Sequence, residues 1–315
     1  KDQTTGLTLE AASTNLAQTI KIISGDDNGT STAVGTVEVN ALDLNAGEDT
    51  KAGTVTLEAN DSNFTATSTD GGALMSLVIT GDEDVTLGQT TFGAASSLNA
   101  ATSSGKISLT TTTLLPTVTT GSGADTIVVN GADVHTVASS GGNDTITITS
   151  TNASSSFDGG DGDDTINVDD VDVYVVSGGA GNDTFNTAAA LKATVAGGDG
   201  SGDKIVIDGA GALTFDAAFR MSGIETFDLT AANGVVQLDD ESFASDNTLV
   251  LTGNAAADIF RVLADDTAGG TIDASSVTLS TGSTVTIRYQ GGVKADTITG
   301  GVAAETFFFS GGGDS

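Results

Sequence analysis

The architecture of this chain is set by the run Gly159-Gly160-Asp161-Gly162-Asp163-Asp164-Thr165-Ile166-Asn167. It matches the nonapeptide pattern G-G-x-G-x-D-x-U-x, in which U is a bulky apolar residue, at every specified position. A second run, Gly178-Gly179-Ala180-Gly181-Asn182-Asp183-Thr184-Phe185-Asn186, matches equally well. Two complete nine-residue matches are hard to obtain by chance. Each of them predicts a glycine-rich turn followed by a short strand, repeated in parallel coils.

The aspartate at the sixth position of this pattern recurs along the middle of the chain at intervals of 19, 20, 19 and 20 residues, as Asp125, Asp144, Asp164, Asp183 and Asp203. An apolar residue two positions later keeps the same spacing, at Ile127, Ile146, Ile166, Phe185 and Ile205. Alternation of apolar and polar residues with period two indicates strands with one buried face. The predicted fold class is therefore all-β, a right-handed parallel β-solenoid or β-roll with glycine-rich turns.

The recurring aspartates suit a hard cation. Calcium takes six to eight oxygen ligands from carboxylates and main-chain carbonyls, and glycine lets the chain turn so that its carbonyls reach the ion. Stacked coils bring the aspartates of successive turns to one ion. The sequence thus predicts Ca²⁺ as cofactor, with the strongest sites on either side of Asp164. The candidate ligating positions are Gly123, Asp125, Gly142, Asn143, Asp144, Gly160, Asp161, Gly162, Asp163, Asp164, Gly179, Gly181, Asn182, Asp183, Asp199 and Asp203.

A degenerate copy of the repeat lies near the C-terminal end. Two eight-residue runs that begin at Gly291 and Gly300 are spaced by nine residues, but both lack the glycine at the fourth position. Lys294 lies within the first of them, beside the candidate site. Asp296 is the metal candidate in this block, and we expect it to bind calcium more weakly than the central aspartates.

The repeats divide the chain into four predicted regions. Residues 1–118 form a β-rich region that we expect to be solenoidal, and residues 119–210 form the calcium-binding β-roll. Residues 211–290 form a further β-rich solenoid region, and residues 291–315 form the degenerate block, beyond which we expect the chain to continue.

The composition narrows the range of partners. The chain has 42 acidic and 10 basic residues, with a formal net charge of −32. Such a surface repels nucleic-acid phosphates and anionic lipid, so neither is an expected partner. No apolar stretch approaches the length of a transmembrane helix, so membrane insertion is not expected. Cysteine is absent, which leaves calcium to replace the disulfides that extracellular proteins use as staples.

Residues that would indicate catalysis are scarce. The chain has one histidine, His135, which we expect to be an exposed strand residue. It has no cysteine nucleophile, no G-x-S-x-G motif and no H-E-x-x-H motif. We therefore predict that the chain is not an enzyme.

Together with the nonapeptides, two further runs carry a resemblance to a known group of proteins. They are Ser222-Gly223-Ile224-Glu225-Thr226-Phe227-Asp228-Leu229 and Leu77-Val78-Ile79-Thr80-Gly81-Asp82-Glu83-Asp84-Val85-Thr86-Leu87. The chain resembles the repeats-in-toxin S-layer proteins of Gram-negative bacteria, of the Caulobacter type. This resemblance implies type I secretion and an extracellular cell-surface location. It also implies calcium-driven self-association into a two-dimensional lattice on lipopolysaccharide or another surface glycan.

Other functions remain open on the sequence alone. The chain could be the calcium-binding segment of a type I-secreted adhesin, although near-identical tandem domains are missing, or the non-catalytic roll of a secreted enzyme. A weaker alternative is ice binding by an outward ladder of threonines, which Lys204 interrupts: Thr126, Thr145, Thr165 and Thr184.

Overall fold

The computed structural model describes residues 7–8, 17–21, 35–43, 53–60, 62–72, 76–92, 96–113, 116–131, 133–150, 154–168, 174–209, 212–215, 218–230, 234–242, 248–254, 258–264, 270–301 and 304–309. Within these ranges the chain is all-β apart from one short 3-10 helix, Asp240–Ser242. The described strand pairs are parallel. The predicted parallel β-solenoid is therefore confirmed. In the same ranges, no helix has the length and apolar character of a transmembrane span.

The chain divides into two compact units, Lys1–Gly162 and Asp163–Ser315. The strands of the N-terminal unit are β1 (Leu7–Thr8), β2 (Ala17–Lys21), β3 (Gly35–Asp43), β4 (Thr54–Ala59), β5 (Ser62–Gly72), β6 (Ser76–Gly81), β7 (Val85–Phe92), β8 (Ser97–Ser103), β9 (Ile107–Thr113), β10 (Thr117–Thr119), β11 (Thr126–Asn130), β12 (Thr136–Ala138), β13 (Thr145–Ser150) and β14 (Ser156–Asp161). The odd-numbered strands form one parallel sheet and the even-numbered strands form another. Each coil of this unit thus contributes one strand to each sheet.

The C-terminal unit contains β15 (Thr165–Val168), β16 (Val175–Ala180), β17 (Thr184–Thr187), β18 (Thr194–Asp199), β19 (Lys204–Ile207), β20 (Leu213–Thr214), β21 (Arg220–Ser222), β22 (Thr226–Asp228), β23 (Val235–Asp239), β24 (Val250–Thr252), β25 (Ile259–Leu263), β26 (Thr271–Asp273), β27 (Thr278–Leu279), β28 (Thr286–Gln290), β29 (Thr297–Thr299) and β30 (Glu305–Phe308). Its first coils again alternate between two sheets, β15-β17-β19-β22-β24-β27 and β16-β18-β21. From β20 onward a third sheet joins them, in the order β20-β23-β25-β28-β30, and β26 pairs with β29.

The interior of each unit is built from the alternating residues that the sequence pattern predicts. Ile127 and Ile146 are completely buried in the N-terminal unit, and Ile166 and Ile205 are completely buried in the C-terminal unit. Thr187 replaces an apolar residue at one inward position, and its hydroxyl donates to the carbonyl oxygen of Ala189 at 2.8 Å. Burial of this polar group is therefore compensated by a hydrogen bond.

Aromatic side chains fill the part of the C-terminal unit where the third sheet joins. The ring centroids of Phe215 and Phe219 lie 4.7 Å apart, and those of Phe227 and Phe260 lie 5.6 Å apart. All four side chains are buried. A coil with three strands encloses a wider interior than one with two, and large rings fill it at the close packing that protein cores need.

The glycine-rich turns stack so closely that a side chain would not fit between them. Gly162 has a φ of 135°, and a Cβ there would overlap the carbonyl oxygen of Gly142 in the preceding turn. A Cβ on Gly200 would likewise overlap the carbonyl oxygen of Gly181. Glycine recurs in this repeat because of both the backbone conformation and the close approach.

We expect Gly162→Ala to destabilise the protein more than Gly282→Ala. Both substitutions place a side chain at positive φ, which costs roughly 1–3 kcal/mol. Gly282 has a φ of 84°, and a Cβ on it would have no atom within 4 Å, so it is a matched control for conformational strain alone. Unfolding by denaturant in saturating calcium measures the difference, and equal losses would show that close stacking of the turns is unimportant.

Candidate metal centre

A single register position of the first sheet forms an inner column in the N-terminal unit. Phe64 pairs with Val85, and Val85 pairs with Ile107. In the next strands, Ser108 pairs with Thr126, and Thr126 pairs with Thr145. The residues one position earlier are therefore also aligned, so the column continues from Ile107 to Asp125 and Asp144. The column is therefore apolar in the earlier coils and becomes acidic where the repeats begin.

The C-terminal unit has an inner column of its own, which begins with acidic residues and ends with apolar ones. The register of β15, β17, β19 and β22 aligns Asp164, Asp183, Asp203 and Glu225. The next two coils place Leu249 and Val277 at this position, both completely buried. The acidic stretch is thus limited to the coils that carry the repeats and the coil after them.

The sixth-position aspartates are buried. Their side chains are at most 2 % exposed, which holds for Asp125, Asp144, Asp164, Asp183 and Asp203. An isolated buried carboxylate is strongly unfavourable, so such groups need hydrogen bonds or a counter-charge.

Hydrogen bonds supply part of that compensation through main-chain amides of the preceding coil. The amide of Ile107 donates to Oδ1 of Asp125 at 2.6 Å, and the amide of Asp125 donates to Oδ1 of Asp144 at 2.6 Å. Three further bonds of this kind follow in the C-terminal unit, from Asp164 to Asp183 at 2.8 Å, from Asp183 to Asp203 at 2.7 Å, and from Asp203 to Glu225 Oε2 at 2.9 Å.

These hydrogen bonds do not offset the loss of solvent. Burial raises the pKa of Asp144 to about 7, and the nearby charge of Asp125 adds to this increase. Burial also raises the pKa of Asp125 and, with a smaller contribution from the charge of Asp163, the pKa of Asp203. A cation between neighbouring carboxylates would favour their charged form and lower these pKa values.

The donor atoms fit calcium. Oδ2 of Asp125 and Oδ2 of Asp203 are buried and have no hydrogen-bond partner within the described ranges. The turns bring carbonyl oxygens, such as those of Gly123 and Gly181, against the next turn. Among described residues there is no cluster of three or more His, Cys, Asp or Glu side chains that could hold a metal ion. A calcium ion in these turns would therefore need main-chain carbonyls in addition to the carboxylates, which is a donor set that calcium accepts.

The other predicted metal residues occupy two different places. The glycines lie in the turns, where most of them have positive φ: Gly142, Gly160, Gly162, Gly179 and Gly181. The side chains at the neighbouring polar positions are exposed: Asn143, Asp161, Asp163, Asn182 and Asp199. The amide of Asn182 donates to Oδ1 of Asp163 at 2.7 Å, so this outer pair links successive turns by hydrogen bonding.

The first position of the nonapeptide adjoins the buried carboxylate. A Cβ on Gly178 would overlap Oδ2 of Asp183. In the two incomplete copies, Thr120 and Ser139 occupy this position, and their hydroxyls oppose the increase in the pKa of Asp125 and of Asp144 respectively. A hydroxyl thus lies beside the carboxylate in the incomplete turns, whereas in the complete turn of Asp183 the carboxylate itself lies against the glycine.

Asp296 has a different environment from the central aspartates. The amide of Gly270 donates to its Oδ1 at 2.7 Å, and the amide of Gly292 donates to its Oδ2 at 2.5 Å. Both carboxylate oxygens are therefore engaged by main-chain amides. The register of β26 with β29 aligns Asp296 with Gly270, so no acidic residue occupies the aligned position of the neighbouring strand.

Sequence reasoning missed Glu225 as a member of the acidic column. Glu225 lies 22 residues after Asp203, outside the regular spacing, and no glycine-rich nonapeptide precedes it. Its longer side chain reaches the amide of Asp203 across a longer coil. An acidic residue before the strand Thr226–Asp228 was the available signal.

The prediction that His135 is exposed was wrong. His135 is completely buried, whereas Val134 is 46 % exposed. Val137 faces the interior, and alternation places His135, two residues before it, on the same inward side. The main-chain amide of His135 donates to Oγ of Ser155 at 3.1 Å.

We expect Asp164→Asn to raise the calcium concentration at the folding midpoint more than Asp296→Asn. Asp164 belongs to the buried acidic column and follows a complete turn, whereas both oxygens of Asp296 already accept amide hydrogen bonds. Circular dichroism during a calcium titration measures the two midpoints. Equal shifts would contradict the ranking of these sites.

In calcium-free buffer, lowering the pH from about 7 to about 4 should favour the folded state. Asp144 has a raised pKa of about 7 in the folded chain against an ordinary value of 3.8. The folded state therefore binds protons more tightly in this interval, and its stability falls as the pH rises through it.

Thermal unfolding at a series of pH values tests this dependence. Asp144→Asn should flatten it, while the exposed Asp161→Asn is the matched control. Stability that rises with pH between 4 and 7 without calcium would contradict the assignment.

Comparison of the chain with protein-family models, with curated proteins and with solved structures finds no match.

Proposed function

We propose that this chain is a calcium-dependent structural protein of a bacterial surface layer, which assembles into a two-dimensional lattice on the cell surface. The observation that carries the proposal is the buried acidic column of each unit, with the Oδ2 atoms of Asp125 and Asp203 unpaired within the described ranges and beside glycine-rich turns. Calcium would be held by the sixth-position aspartates and the turn carbonyls. Its charge would compensate the buried carboxylates and join successive coils.

The expected affinity supports an extracellular location. Extracellular calcium modules have dissociation constants of about 10⁻⁴–10⁻³ M, well above the free calcium of a cytoplasm. The chain would therefore remain unfolded enough for type I secretion inside the cell and would fold after export. The same logic applies to the two alternatives, a secreted adhesin segment and the roll of a secreted enzyme.

The surface charge links calcium to self-association. A net charge of −32 on 315 residues keeps like molecules apart in the absence of cations. Bound calcium would reduce this repulsion and let neighbouring molecules approach. The proposed partners are further copies of the chain and lipopolysaccharide or another surface glycan, with neither nucleic acid nor membrane insertion involved.

A non-catalytic role is part of the proposal. The single histidine of the chain is completely buried and so is not accessible to a substrate. The chain contains no cysteine.

Purified protein should be soluble and monomeric in chelator and should form sheets in millimolar calcium. Magnesium should replace calcium poorly, because its smaller and stricter octahedral shell fits these turns badly. Light scattering and electron microscopy measure the assembly. A protein that binds calcium but stays monomeric would contradict the lattice proposal and would favour the adhesin or secreted-enzyme alternative.

A further inference from the structure

Two arginines lie side by side on the outer face of the sheet that contains β23, β25 and β28. Arg261 pairs with Arg288, and the same row contains Gln237 on one side and Thr306 on the other. We call these four residues the arginine row. The residues adjacent to the arginines in sequence are completely buried, so alternation places both arginine side chains on the outside: Phe260, Val262, Ile287 and Tyr289.

No carboxylate neutralises this pair within the described ranges. Arg261 donates from Nη1 to Oε1 of Gln237 at 3.2 Å, and its Nε is buried without a hydrogen-bond partner among the described residues. The carboxylate of Glu305, in the adjacent strand, instead accepts from the amide of Gly301 at 2.8 Å and from the hydroxyl of Tyr289 at 3.2 Å.

Asp239 is the one acidic side chain that shares this outer face on β23, β25 and β28. It pairs with Leu263, one row away from Arg261. A diagonal neighbour of this kind lies about 7–8 Å away at the level of the backbone. Arg261 donates to Gln237, its neighbour in the same row.

The arrangement is unfavourable unless an anion is present. Adjacent strands are about 4.8 Å apart, and like charges directly opposite each other on a sheet repel. The chain has only 10 basic residues against 42 acidic ones, yet two of the basic residues adjoin here with no carboxylate partner among the described residues. The guanidinium group has a planar fork of donors that matches the oxygens of phosphate and carboxylate groups.

We propose that the arginine row binds the phosphate or carboxylate group of an anionic glycan. The amide of Gln237 and the hydroxyl of Thr306 provide groups that can bond sugar hydroxyls beside the anion. Ile259 and Leu263 flank Arg261 on the same face and offer apolar surface to a sugar ring.

This inference rests on the proposed function in one respect only, which is that the glycan belongs to the cell surface. The arginine row contains none of the calcium-turn residues, so glycan binding and lattice assembly are separable. Loss of one without the other in a variant would distinguish the two proposals.

Biolayer interferometry of the full chain tests the site, with immobilised phosphomannan, polyglucuronate and neutral dextran as probes. We expect binding to one or both charged glycans and none to dextran, and the two charged arms distinguish a phosphate from a carboxylate ligand. Arg261→Gln and Arg288→Gln should each weaken binding by at least about tenfold, since each removes charge-assisted hydrogen bonds. Arg220→Gln is the matched control, because Arg220 lies on a different sheet and donates to the carbonyl oxygen of Phe219 at 2.7 Å.

Several outcomes would overturn the proposal. They are an absence of binding to both charged glycans, an equal loss in Arg220→Gln, and equal binding to a single-stranded oligonucleotide. Calcium-dependent binding that survives the combined substitution Arg261→Gln and Arg288→Gln would show that calcium ions bridge the acidic protein to the glycan. That result would also overturn the proposal. Circular dichroism and calcium-induced assembly of each variant verify its fold, and Arg288→Lys, which keeps the charge but not the fork, should restore binding only in part.

Discussion

The structure depends on how buried carboxylates of successive coils are compensated. The sixth-position aspartates lie in the interior, and the Oδ1 atoms of Asp125, Asp144, Asp183 and Asp203 each accept a hydrogen bond from an amide of the coil before. The raised pKa of Asp144 indicates that these hydrogen bonds alone leave a deficit. A divalent cation would remove that deficit at neutral pH, whereas protonation would remove it only under acidic conditions. Under the proposed calcium binding, folding and ion binding would be one equilibrium in these coils.

The glycines and the aspartates of the repeat have linked roles. Turns can stack closely enough to share an ion only where no side chain separates them, as Gly162 and Gly142 illustrate. The first position of the repeat has the same requirement, because it adjoins the carboxylate. In the incomplete copies, Thr120 and Ser139 place a hydroxyl beside the carboxylate and offset part of the increase in its pKa. Asp144, in one of these incomplete turns, still has a pKa raised to about 7, so the hydroxyl alone does not compensate the buried carboxylate.

Much of this could be predicted from the sequence because the repeat is strictly periodic. The spacing of Ile127, Ile146, Ile166 and Ile205 specifies both the strands and their buried face, and the aspartates then fall on one column. The prediction failed at His135 because three of its neighbours are polar or β-branched and show no clear alternation of buried and exposed positions. The inward position of Val137 is what places His135 in the interior. Glu225 was missed because its coil is longer than those before it. The third sheet of the C-terminal unit could not be predicted, since only its last strand, β30, lies in a repeat and the pairing of the others depends on long-range register.

In each unit, the acidic column gives way to apolar residues. Phe64, Val85 and Ile107 occupy this column in the N-terminal unit, as do Leu249 and Val277 in the C-terminal unit. Burial of such side chains stabilises a coil by roughly 1.5–3 kcal/mol each without any ion. Coils with an aspartate in the column lose that contribution and gain a desolvation penalty instead. The chain therefore combines coils that hydrophobic burial can hold with coils whose buried carboxylates need further compensation. Under the proposed calcium binding, the ion would order the repeat coils against neighbours that already present a strand edge.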